Sequence, residues 1–358
     1  MPTNRVLIFS QVPQGVPIPG QDLKVVEKEG PHPTSTRPPP GGFIAQSVYV
    51  SFDPSMRMRM TTPDKAGVFP PYPIGTALTS ACIVKVLVVD SSISTFKPGD
   101  LLLGNGPVQE YHTVTASAVP QFTPLPPNPF GLEPSVFLGA LGSTGLVAYA
   151  GLYHFVKPKR GETILISAAS GAIGHLLGQL AKREGMTVLG IVGSDEKVDI
   201  LTRKLNFDGA VNYKKGDLHK SLKELAPNGV DVYFDNVGGQ VLEVAIDILN
   251  QNGRIISCGA ASQYNLPIEK QYGIRNTFLI ISKTLTWTGL ASRPGAWMLA
   301  YEEERQKNMQ KWIHDGTMKP LNSFTYGFEN SADGVVDLLK GSNVGKAILN
   351  LTDAVNEP

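Results

Sequence analysis

The middle of the chain alternates between short apolar runs typical of strands and amphipathic segments typical of helices. From about residue 135, the predicted strands are Thr163–Ile166, Thr187–Val192, Ala210–Asn212, Val230–Asp235, Gly253–Cys258 and Leu285–Thr288. The predicted helices are Val136–Gly151, His175–Arg183, Asp195–Leu205, Leu218–Leu225 and Val241–Leu249. This alternation predicts an α/β fold with a doubly wound parallel sheet and helices on both faces.

The two ends of the chain have a different pattern. Residues 11–45 are rich in Pro and Gly, and short β-type runs follow at Gly42–Phe52, Ala81–Val89 and Asp100–Gly104. Beyond an exposed helix predicted at Tyr301–Trp312, strands are again expected at Phe324–Phe328 and Lys346–Asn350. The pattern predicts a β-rich domain of residues 1–132 and 315–358, with a cofactor domain at 133–314 inserted in it.

The junction of the first strand and second helix of the cofactor domain reads T-I-L-I-S-A-A-S-G-A-I-G, from Thr163 to Gly174. A strand, a small-residue turn and a helix N-terminus in this order form a dinucleotide phosphate site. Free backbone N–H groups favour a pyrophosphate there, and Gly174 allows helix and strand to pack closely. The spacing is A-x-x-G-x-x-G rather than the strict three-glycine form. An ordinary βα turn without a ligand is therefore the alternative interpretation.

The next strand ends at Gly193-Ser194-Asp195-Glu196-Lys197, where the adenosine ribose of a dinucleotide lies in this fold. A hydroxyl and an ammonium at this point favour a 2′-phosphate, so the sequence predicts NADP(H) rather than NAD(H). Two alternatives stay open. Asp195 could be the acidic residue that binds the ribose 2′-hydroxyl in an NAD site. Lys197 could be a solvated lysine on a helix face.

Composition excludes several other classes of function. The net charge is +1, which does not favour nucleic acid or an anionic membrane as a partner, and no apolar run approaches the roughly 18 to 20 residues of a membrane span. The two cysteines are far apart and the six histidines are scattered, so no metal site is expected. The first residues lack a signal-peptide pattern, so a cytoplasmic location is expected.

Several further motifs resemble those of a known family. They are Asp53-Pro54-x-Met56-Arg57-x-Arg59-Met60, Asn212-Tyr213-Lys214, Asp235-Asn236-Val237-Gly238-Gly239, Cys258-Gly259, Ser262-Gln263-Tyr264-Asn265 and Asn343-Val344-Gly345-Lys346. With the turn at Ala168–Gly174, they make the chain similar to zinc-independent medium-chain dehydrogenases/reductases. Within that superfamily it most resembles plant NADPH-dependent alkenal double-bond reductases and animal prostaglandin/leukotriene reductases. The resemblance implies a Rossmann cofactor domain, a GroES-like β-rich domain and a homodimer joined near Leu285–Leu290.

The resemblance also implies roles for individual residues. The pyrophosphate is expected at Ala169, Ser170, Gly171, Ala172, Ile173 and Gly174, and the 2′-phosphate side at Ser194, Lys197 and Tyr213. The ribose and nicotinamide are expected along Asn236, Cys258 and Tyr264, with the carboxamide at Thr288, Gly289 and Leu290 and a further cofactor contact from Asn343. Pro54 and its neighbour Ser55 are expected on the substrate side.

The reaction implied by the resemblance is hydride transfer to the β-carbon of an α,β-unsaturated carbonyl compound, a small-molecule enone. The developing enolate needs a hydrogen-bond donor, and Tyr264 is the predicted catalytic residue. The alternative for Tyr264 is a contact with the cofactor ribose alone. Other functions left open are a quinone reductase, an isomerase or cyclase acting on an enone, and an NADPH-binding sensor or scaffold without turnover.

The chain departs from the plant-like pattern on the substrate side. Ser55 stands where those proteins carry a tyrosine, and Leu78-Thr79-Ser80-Ala81 replaces a Gly-Tyr-Gly-type segment. Without these two aromatic side chains, the substrate pocket is predicted to be wider or differently polar and the substrate to be specialised. Tyr49, Tyr72 or Tyr272 are the tyrosines that could substitute.

Overall fold

The computed structural model describes residues 3–31, 36–65, 67, 69–291 and 295–352. In chain order, the strands are β1 Thr3–Phe9, β2 Leu23–Glu29, β3 Phe43–Ser51, β4 Thr79–Val89, β5 Leu101–Pro107, β6 Tyr111–Val114, β7 Phe122–Pro124, β8 Thr163–Ser167, β9 Thr187–Val192, β10 Gly209–Asn212, β11 Val230–Asp235, β12 Leu249–Ser257, β13 Thr286–Gly289, β14 Asn322–Tyr326 and β15 Lys346–Asn350. The α-helices are α1 Ser55–Arg59, α2 Ser143–Ala150, α3 Gly174–Arg183, α4 Asp195–Asp199, α5 Leu218–Leu225, α6 Gly239–Ile248, α7 Phe278–Ser282, α8 Ala296–Leu299, α9 Glu302–His314 and α10 Ser331–Lys340.

The chain folds into two compact units, Met1–Leu138 with Ser323–Pro358, and Gly139–Asn322. Both boundaries fall later than the predicted ones at 132/133 and 314/315. The proline-rich segment belongs to the first unit because β7 pairs with β5. The segment after α9 stays with the second unit because Gln179 exchanges hydrogen bonds with the backbone of Lys319, at 2.8 and 3.1 Å.

The second unit, called the cofactor unit here, contains a six-stranded sheet in the order β10-β9-β8-β11-β12-β13. Every neighbouring pair in it is parallel, which confirms the predicted doubly wound fold. The strand order reverses between β8 and β11. In such sheets ligands bind beyond the carboxyl ends of the strands at this switch point.

The first unit, called the β-rich unit, contains a seven-stranded sheet in which β15 pairs with β3 and β3 pairs with β4. The chain therefore returns to this unit as the sequence predicts. A separate two-stranded sheet joins β1 to β2. The sequence interpretation missed both of these strands, as well as helix α10, whose Ala332, Val335 and Val336 are buried.

Two predicted helices differ from the observed ones. The segment predicted as one helix at Val136–Gly151 is divided between a 3-10 helix at Pro134–Leu138, α2, and a π-helical turn at Gly151–Val156. The helix near residues 301–312, predicted to be exposed, buries Arg305, Met309 and Gln310. Arg305 bonds both oxygens of Glu302 and donates to the Ala140 carbonyl at 3.2 Å, so its charge is paired inside the unit.

A buried ion pair joins the returning strand β15 to the segment that follows β3. The Lys346 ammonium, only 3% exposed, lies 2.6 Å from Asp53 Oδ1 and donates to the Phe52 carbonyl at 2.6 Å. Burial opposes the charge of Asp53, but Lys346 and a hydrogen bond from Ser51 outweigh it and hold the pKa of that carboxyl below its usual value. The pair therefore exists in charged form at neutral pH.

We expect Lys346→Met to lower the free energy of unfolding by about 3 kcal/mol, because it strands a charged carboxylate without its partner. The exposed Lys340→Met, at the end of α10, should change it by less than about 0.5 kcal/mol. Urea unfolding of the two variants measures the difference. Because the folded-state pKa of Asp53 is lowered, its stabilising effect exists above about pH 4 and is lost in acid, so the cost of Lys346→Met should shrink there. A cost that does not change with pH would contradict this origin.

Candidate active site

The turn after β8 brings backbone atoms into close contact. Ala168 has a φ of 46°, in the left-handed region, and its carbonyl accepts the Gly171 N–H at 2.8 Å. A Cβ on Gly174 would lie 2.6 Å from the Ala168 oxygen and 2.8 Å from the Ala169 Cα, closer than packing allows. Only glycine therefore fits at the start of α3. The geometry matches a pyrophosphate site, in which the first N–H groups of the helix point outward.

His175, the second residue of α3, forms a hydrogen bond with this turn. It is 1% exposed, its Nδ1 lies 2.7 Å from the Gly171 carbonyl oxygen, and its Nε2 lies 3.0 Å from the Leu321 nitrogen. Burial lowers the pKa of His175 to about 4, so the ring is neutral. Because Leu321 is the donor at Nε2, the ring proton is on Nδ1 and is donated to Gly171. The sequence interpretation missed this role, since it treated His175 as one of six scattered histidines.

Two lysines lie near one another at the tip of β9, Lys197 on α4 and Lys214 after β10. Ser194 caps α4 by accepting the Lys197 N–H at 3.4 Å, which fixes the first turn of that helix. Burial, and then the nearby charge of Lys214, lower the pKa of Lys197. A Cβ on Gly193 would lie 3.6 Å from Lys214 Nζ and 3.3 Å from the Tyr213 ring, so both side chains reach over the strand tip. Lys214 therefore lies beside the three residues predicted to contact the 2′-phosphate, which are Ser194, Lys197 and Tyr213.

Asp195, the residue that could have taken the acidic role of an NAD site, has other partners. Its carboxylate accepts a hydrogen bond from Asn212 at 2.9 Å and is paired with Lys215. The hydrogen bond from Asn212, followed by Lys215, lowers the pKa of Asp195. Its charge is therefore compensated by its own neighbours, while Lys197 and Lys214 repel each other. The balance at this point favours an anionic ligand group.

Hydrogen bonds link the carboxyl ends of β8 and β11 at the switch point. Asn236 donates its side-chain N–H to the Ser167 carbonyl at 2.7 Å and its backbone N–H to the Ser167 hydroxyl at 2.9 Å. The buried Asp235 accepts from the backbone of Val237 and Gly238, at 3.0 and 2.8 Å. Burial raises the pKa of Asp235 in spite of these donors. The turn that carries Asn236 is thus held rigidly at the predicted ribose path.

Tyr264 lies on a loop that rests on this turn. The Tyr264 hydroxyl oxygen accepts the Ala260 N–H at 2.9 Å, and Ser262 donates to the Val237 carbonyl at 2.7 Å. Burial raises the pKa of Tyr264, and it raises the pKa of the nearby Cys258 thiol to about 12. Both groups are therefore protonated at neutral pH. The Tyr264 oxygen is fixed as an acceptor from Ala260, which leaves its own proton to be donated elsewhere.

The remaining predicted cofactor residues lie on two separate elements. Thr288 and Gly289 end β13 at the edge of the parallel sheet, and the next residue, Leu290, donates its N–H to the Ser257 carbonyl at 2.8 Å. In the β-rich unit, Asn343 donates to the Gly345 carbonyl at 2.8 Å, so its side chain shapes its own turn. Contacts of these four residues with a cofactor stay a prediction.

Four of the five candidate substrate-side residues belong to the β-rich unit, and Tyr272 belongs to the cofactor unit. Pro54 and Ser55 lie at the start of α1 and are at least partly exposed. Tyr49 and Tyr72 are 7% and 3% exposed, and their hydroxyls donate to Glu133 at 2.7 Å and to the Thr79 carbonyl at 2.9 Å. The two tyrosines therefore offer a substrate little surface. Tyr272, the third candidate, lies in the cofactor unit and accepts from Arg275 at 3.1 Å.

Comparison with known proteins identifies the family. Residues 172–309 match the family model of the zinc-binding dehydrogenases, and residues 5–121 match an N-terminal domain of oxidoreductases. The chain is 42% identical to the NADP-dependent oxidoreductase RED1 of Cochliobolus heterostrophus over 98% of both chains. It is 36% identical to a 2-alkenal reductase (NADP(+)-dependent) of Nicotiana tabacum over 86% of both. The crystal structure of CurA from Vibrio vulnificus in complex with NADPH superimposes with a TM-score of 0.84 and 28% identity, over 99% of this chain and 100% of CurA.

The chain thus belongs to the medium-chain dehydrogenase/reductase superfamily, in its zinc-independent group of NADPH reductases. This membership confirms NADP(H) as the cofactor and confirms the predicted class of enzyme, an oxidoreductase of the group that acts on CH–CH bonds. In the described residues, no three His, Cys, Asp or Glu side chains are grouped so that they could hold a metal ion. None of the helices described combines the length and apolar character that crossing a membrane requires.

We expect Lys197→Gln and Lys214→Gln each to weaken NADPH binding by about tenfold, since each removes a charge-assisted contact to the 2′-phosphate. NADH, which lacks that phosphate, should bind with nearly unchanged affinity. Lys220→Gln, an exposed lysine on α5, is the control for net charge. Dissociation constants from quenching of protein fluorescence measure the effect, and equal weakening of both cofactors would exclude a 2′-phosphate contact.

His175→Leu should weaken NADPH binding by about tenfold, because it removes the side-chain donor to the Gly171 carbonyl and leaves the Leu321 N–H without its acceptor. His175→Asn can still donate to Gly171 and should recover most of the affinity. Thermal unfolding of both variants separates a change in the turn from a general loss of stability. If the two variants bind NADPH equally while differing in melting temperature, His175 serves stability alone.

Proposed function

We propose that this chain uses NADPH to reduce the carbon–carbon double bond of α,β-unsaturated carbonyl compounds. The single observation that carries the proposal is the Tyr264 hydroxyl, fixed by the Ala260 N–H at 2.9 Å with its own proton still to donate. The similarity to a 2-alkenal reductase supports the same reaction. The substrate is a small molecule.

The residues described above would hold the cofactor in three places. Ala169 to Gly174 would bind the pyrophosphate, Ser194, Lys197, Tyr213 and Lys214 the 2′-phosphate, and Asn236 with Cys258 the nicotinamide side. The close contact that excludes a Cβ at Gly174 and the two lysines at the strand tip fit this ligand. When bound, the reduced nicotinamide supplies a hydride to the β-carbon of the enone.

Tyr264 has the properties that the second half of the reaction needs. Hydride addition moves negative charge to the carbonyl oxygen, and a donor aimed at that oxygen stabilises the enolate. Burial raises the pKa of Tyr264, so the phenol is protonated at neutral pH and can donate. The bond from Ala260 also disperses negative charge on the phenol oxygen while a proton is being given up. Protonation at the α-carbon then completes the reduction.

Two further features accompany the proposed function. We infer a homodimer in which β13, the edge of the parallel sheet, faces a second copy, because exposed apolar side chains cluster in this part of the cofactor unit. Trp287 on β13 is 41% exposed, and Phe278 and Ile281 on α7 are 70% and 75% exposed. A cytoplasmic location is proposed as well, and the two free cysteines, Cys82 and Cys258, are consistent with it.

Tyr264→Phe should lower kcat on a simple enone by about 100-fold, the typical effect of losing an oxyanion donor or general acid. The dissociation constant for NADPH should change by no more than about threefold, because the ring and its packing remain. Tyr153→Phe removes a hydroxyl from another tyrosine of the cofactor unit, one that donates to Glu184 at 2.7 Å, and should leave kcat unchanged.

The measurement compares NADPH oxidation with the amount of reduced product, determined by chromatography. Equal amounts support the reductase. Product without net oxidation of NADPH would instead indicate an isomerase or cyclase, and binding of NADPH without any product would indicate a sensor. Full turnover by Tyr264→Phe would show that Tyr264 has no catalytic role. It would not contradict the reduction of enones by NADPH.

A further inference from the structure

The loop that carries Tyr264 is tied to the turn before α6 by a chain of hydrogen bonds through side chains. The chain begins at the Tyr272 backbone N–H, which donates to Gln263 Oε1 at 2.8 Å. Gln263 Nε2 donates to the Ser262 hydroxyl, and this hydroxyl donates to the Val237 carbonyl at 2.7 Å. All of these residues belong to the cofactor unit. None of the roles described above uses the Gln263 side chain.

The direction of this hydrogen-bond chain is fixed at both ends. A backbone N–H can only donate, so the oxygen of the Gln263 amide faces Tyr272 and its NH2 group faces Ser262. A backbone carbonyl can only accept, so the Ser262 hydroxyl proton points at Val237 and its oxygen accepts from Gln263. An amide satisfies both neighbours at once, whereas a carboxylate can only accept and a thioether makes neither bond well.

The Tyr272 end of the chain is anchored to α6. Shortly after Tyr272, the Arg275 backbone N–H donates to Glu243 Oε2 at 3.2 Å. The Asn276 side chain donates to the Glu243 carbonyl and to Asp247 Oδ1, both at 2.8 Å. The segment that supplies the Tyr272 N–H is therefore held on the helix, and Gln263 joins the Tyr264 loop to a fixed point.

The start of α6 has room for these side chains because residue 239 is glycine. Gly239 has a φ of 60°, in the left-handed region. A Cβ on Gly239 would lie 2.8 Å from Ser262 Oγ and closer still to Gln263 Nε2. The two polar groups thus occupy the space that a larger residue would fill, so the glycine and the amide belong to one arrangement.

The turn at residues 260–263 connects the Gln263 side chain to the Tyr264 hydroxyl. The Gln263 backbone N–H donates to the Ala260 carbonyl at 2.8 Å, which closes the turn. The Ala260 N–H in turn donates to the Tyr264 hydroxyl oxygen at 2.9 Å. A Cβ on Gly259 would lie 3.2 Å from that oxygen, so the hydroxyl packs directly against this backbone. Where Gln263 holds the turn therefore decides where the donor to Tyr264 lies.

We propose that Gln263 is a positioning residue whose side-chain amide holds the Tyr264 hydroxyl in place to donate to the developing enolate. The inference rests on the proposed function, because Gln263 acts through the catalytic use of Tyr264. A donor stabilises a developing charge best when it is held in place before the reaction, so a displaced hydroxyl loses much of its effect. In this role Gln263 contacts neither the substrate nor the cofactor.

The first test compares two substitutions of Gln263 in the NADPH-loaded enzyme. Gln263→Met keeps the length of the side chain and removes the amide, so kcat on a simple enone should fall by about tenfold. The dissociation constant for NADPH should change by no more than about threefold. Gln263→Glu keeps the acceptor for Tyr272 but loses the donor to Ser262, so its kcat should be intermediate. Gln251→Met, an exposed glutamine of the same unit that donates to Thr284, is the control and should keep full turnover.

The second test asks whether Gln263 acts through Tyr264. In the Tyr264→Phe background, adding Gln263→Met should lower kcat by less than about twofold, because the hydroxyl that it positions is already absent. A further tenfold loss in the double variant would show that Gln263 affects turnover by another route and would overturn the proposal. Full turnover by the single variant Gln263→Met would overturn it as well.

A third measurement does not depend on turnover. Hydrogen–deuterium exchange, followed by mass spectrometry with electron-transfer fragmentation, should be at least about tenfold faster at the Ala260 amide in Gln263→Met than in the wild type. The Asn236 amide, which donates to the Ser167 hydroxyl, should keep its rate. An unchanged rate at Ala260, or an equal acceleration at both amides, would overturn the positioning role while leaving the reductase intact.

The exchange experiment also separates this inference from the proposed function. Faster exchange at Ala260 in a protein that reduces no enone would support the hydrogen-bond chain and contradict the proposed reaction. If Gln263→Met fails to fold, Gln263→Glu takes its place in all three measurements, with a lower kcat and faster exchange at Ala260 as the expected results.

Discussion

The cofactor unit depends on one steric constraint, the contact between the start of α3 and the end of β8. A Cβ on Gly174 would lie 2.6 Å from the Ala168 oxygen, so the helix can approach the strand this closely only with glycine at that position. Ala168 itself takes a left-handed φ of 46°, which costs roughly 1 kcal/mol for a residue with a side chain. The neutral ring of His175, bonded to Gly171 and Leu321, helps to hold this costly turn. The resulting geometry brings the start of α3 close to the carboxyl end of β8, where the pyrophosphate is proposed to bind.

The charges around the end of β9, where the 2′-phosphate is proposed to bind, are paired in a way that fits NADP(H). Asp195 would repel a 2′-phosphate if its charge were free, but Asn212 and Lys215 bind its carboxylate. Burial, and then the nearby charge of Lys214, lower the pKa of Lys197, so two like charges lie close together here. A doubly charged phosphate removes that repulsion. With the 2′-phosphate placed here as proposed, the preference for NADP(H) would come from several local pairings rather than from any one residue.

The sequence predicted best the features that depend on local pattern. Strands β9, β11 and β15 begin and end at the predicted residues, and the turn at Ala168–Gly174 has the predicted geometry, because apolar periodicity and small residues act over a few positions. What it missed depends on contacts distant in sequence. The role of His175 needs Leu321, and the unit boundary at 322/323 needs Gln179 to meet Lys319. The pattern of residues along the chain does not predict these contacts, because their partners are far apart in sequence.

The return of the chain to the β-rich unit has a consequence for the substrate side. The returning strand β15 begins with Lys346, and this ammonium binds both the Phe52 carbonyl and the Asp53 carboxylate, immediately before α1. Helix α1 has only five residues, too few to be stable by itself, so its placement must come from such anchors. Ser55 and Arg59 lie on that helix. Strand β15 therefore helps to fix the helix that carries Ser55, a residue predicted on the substrate side, although the cofactor unit separates the two in sequence.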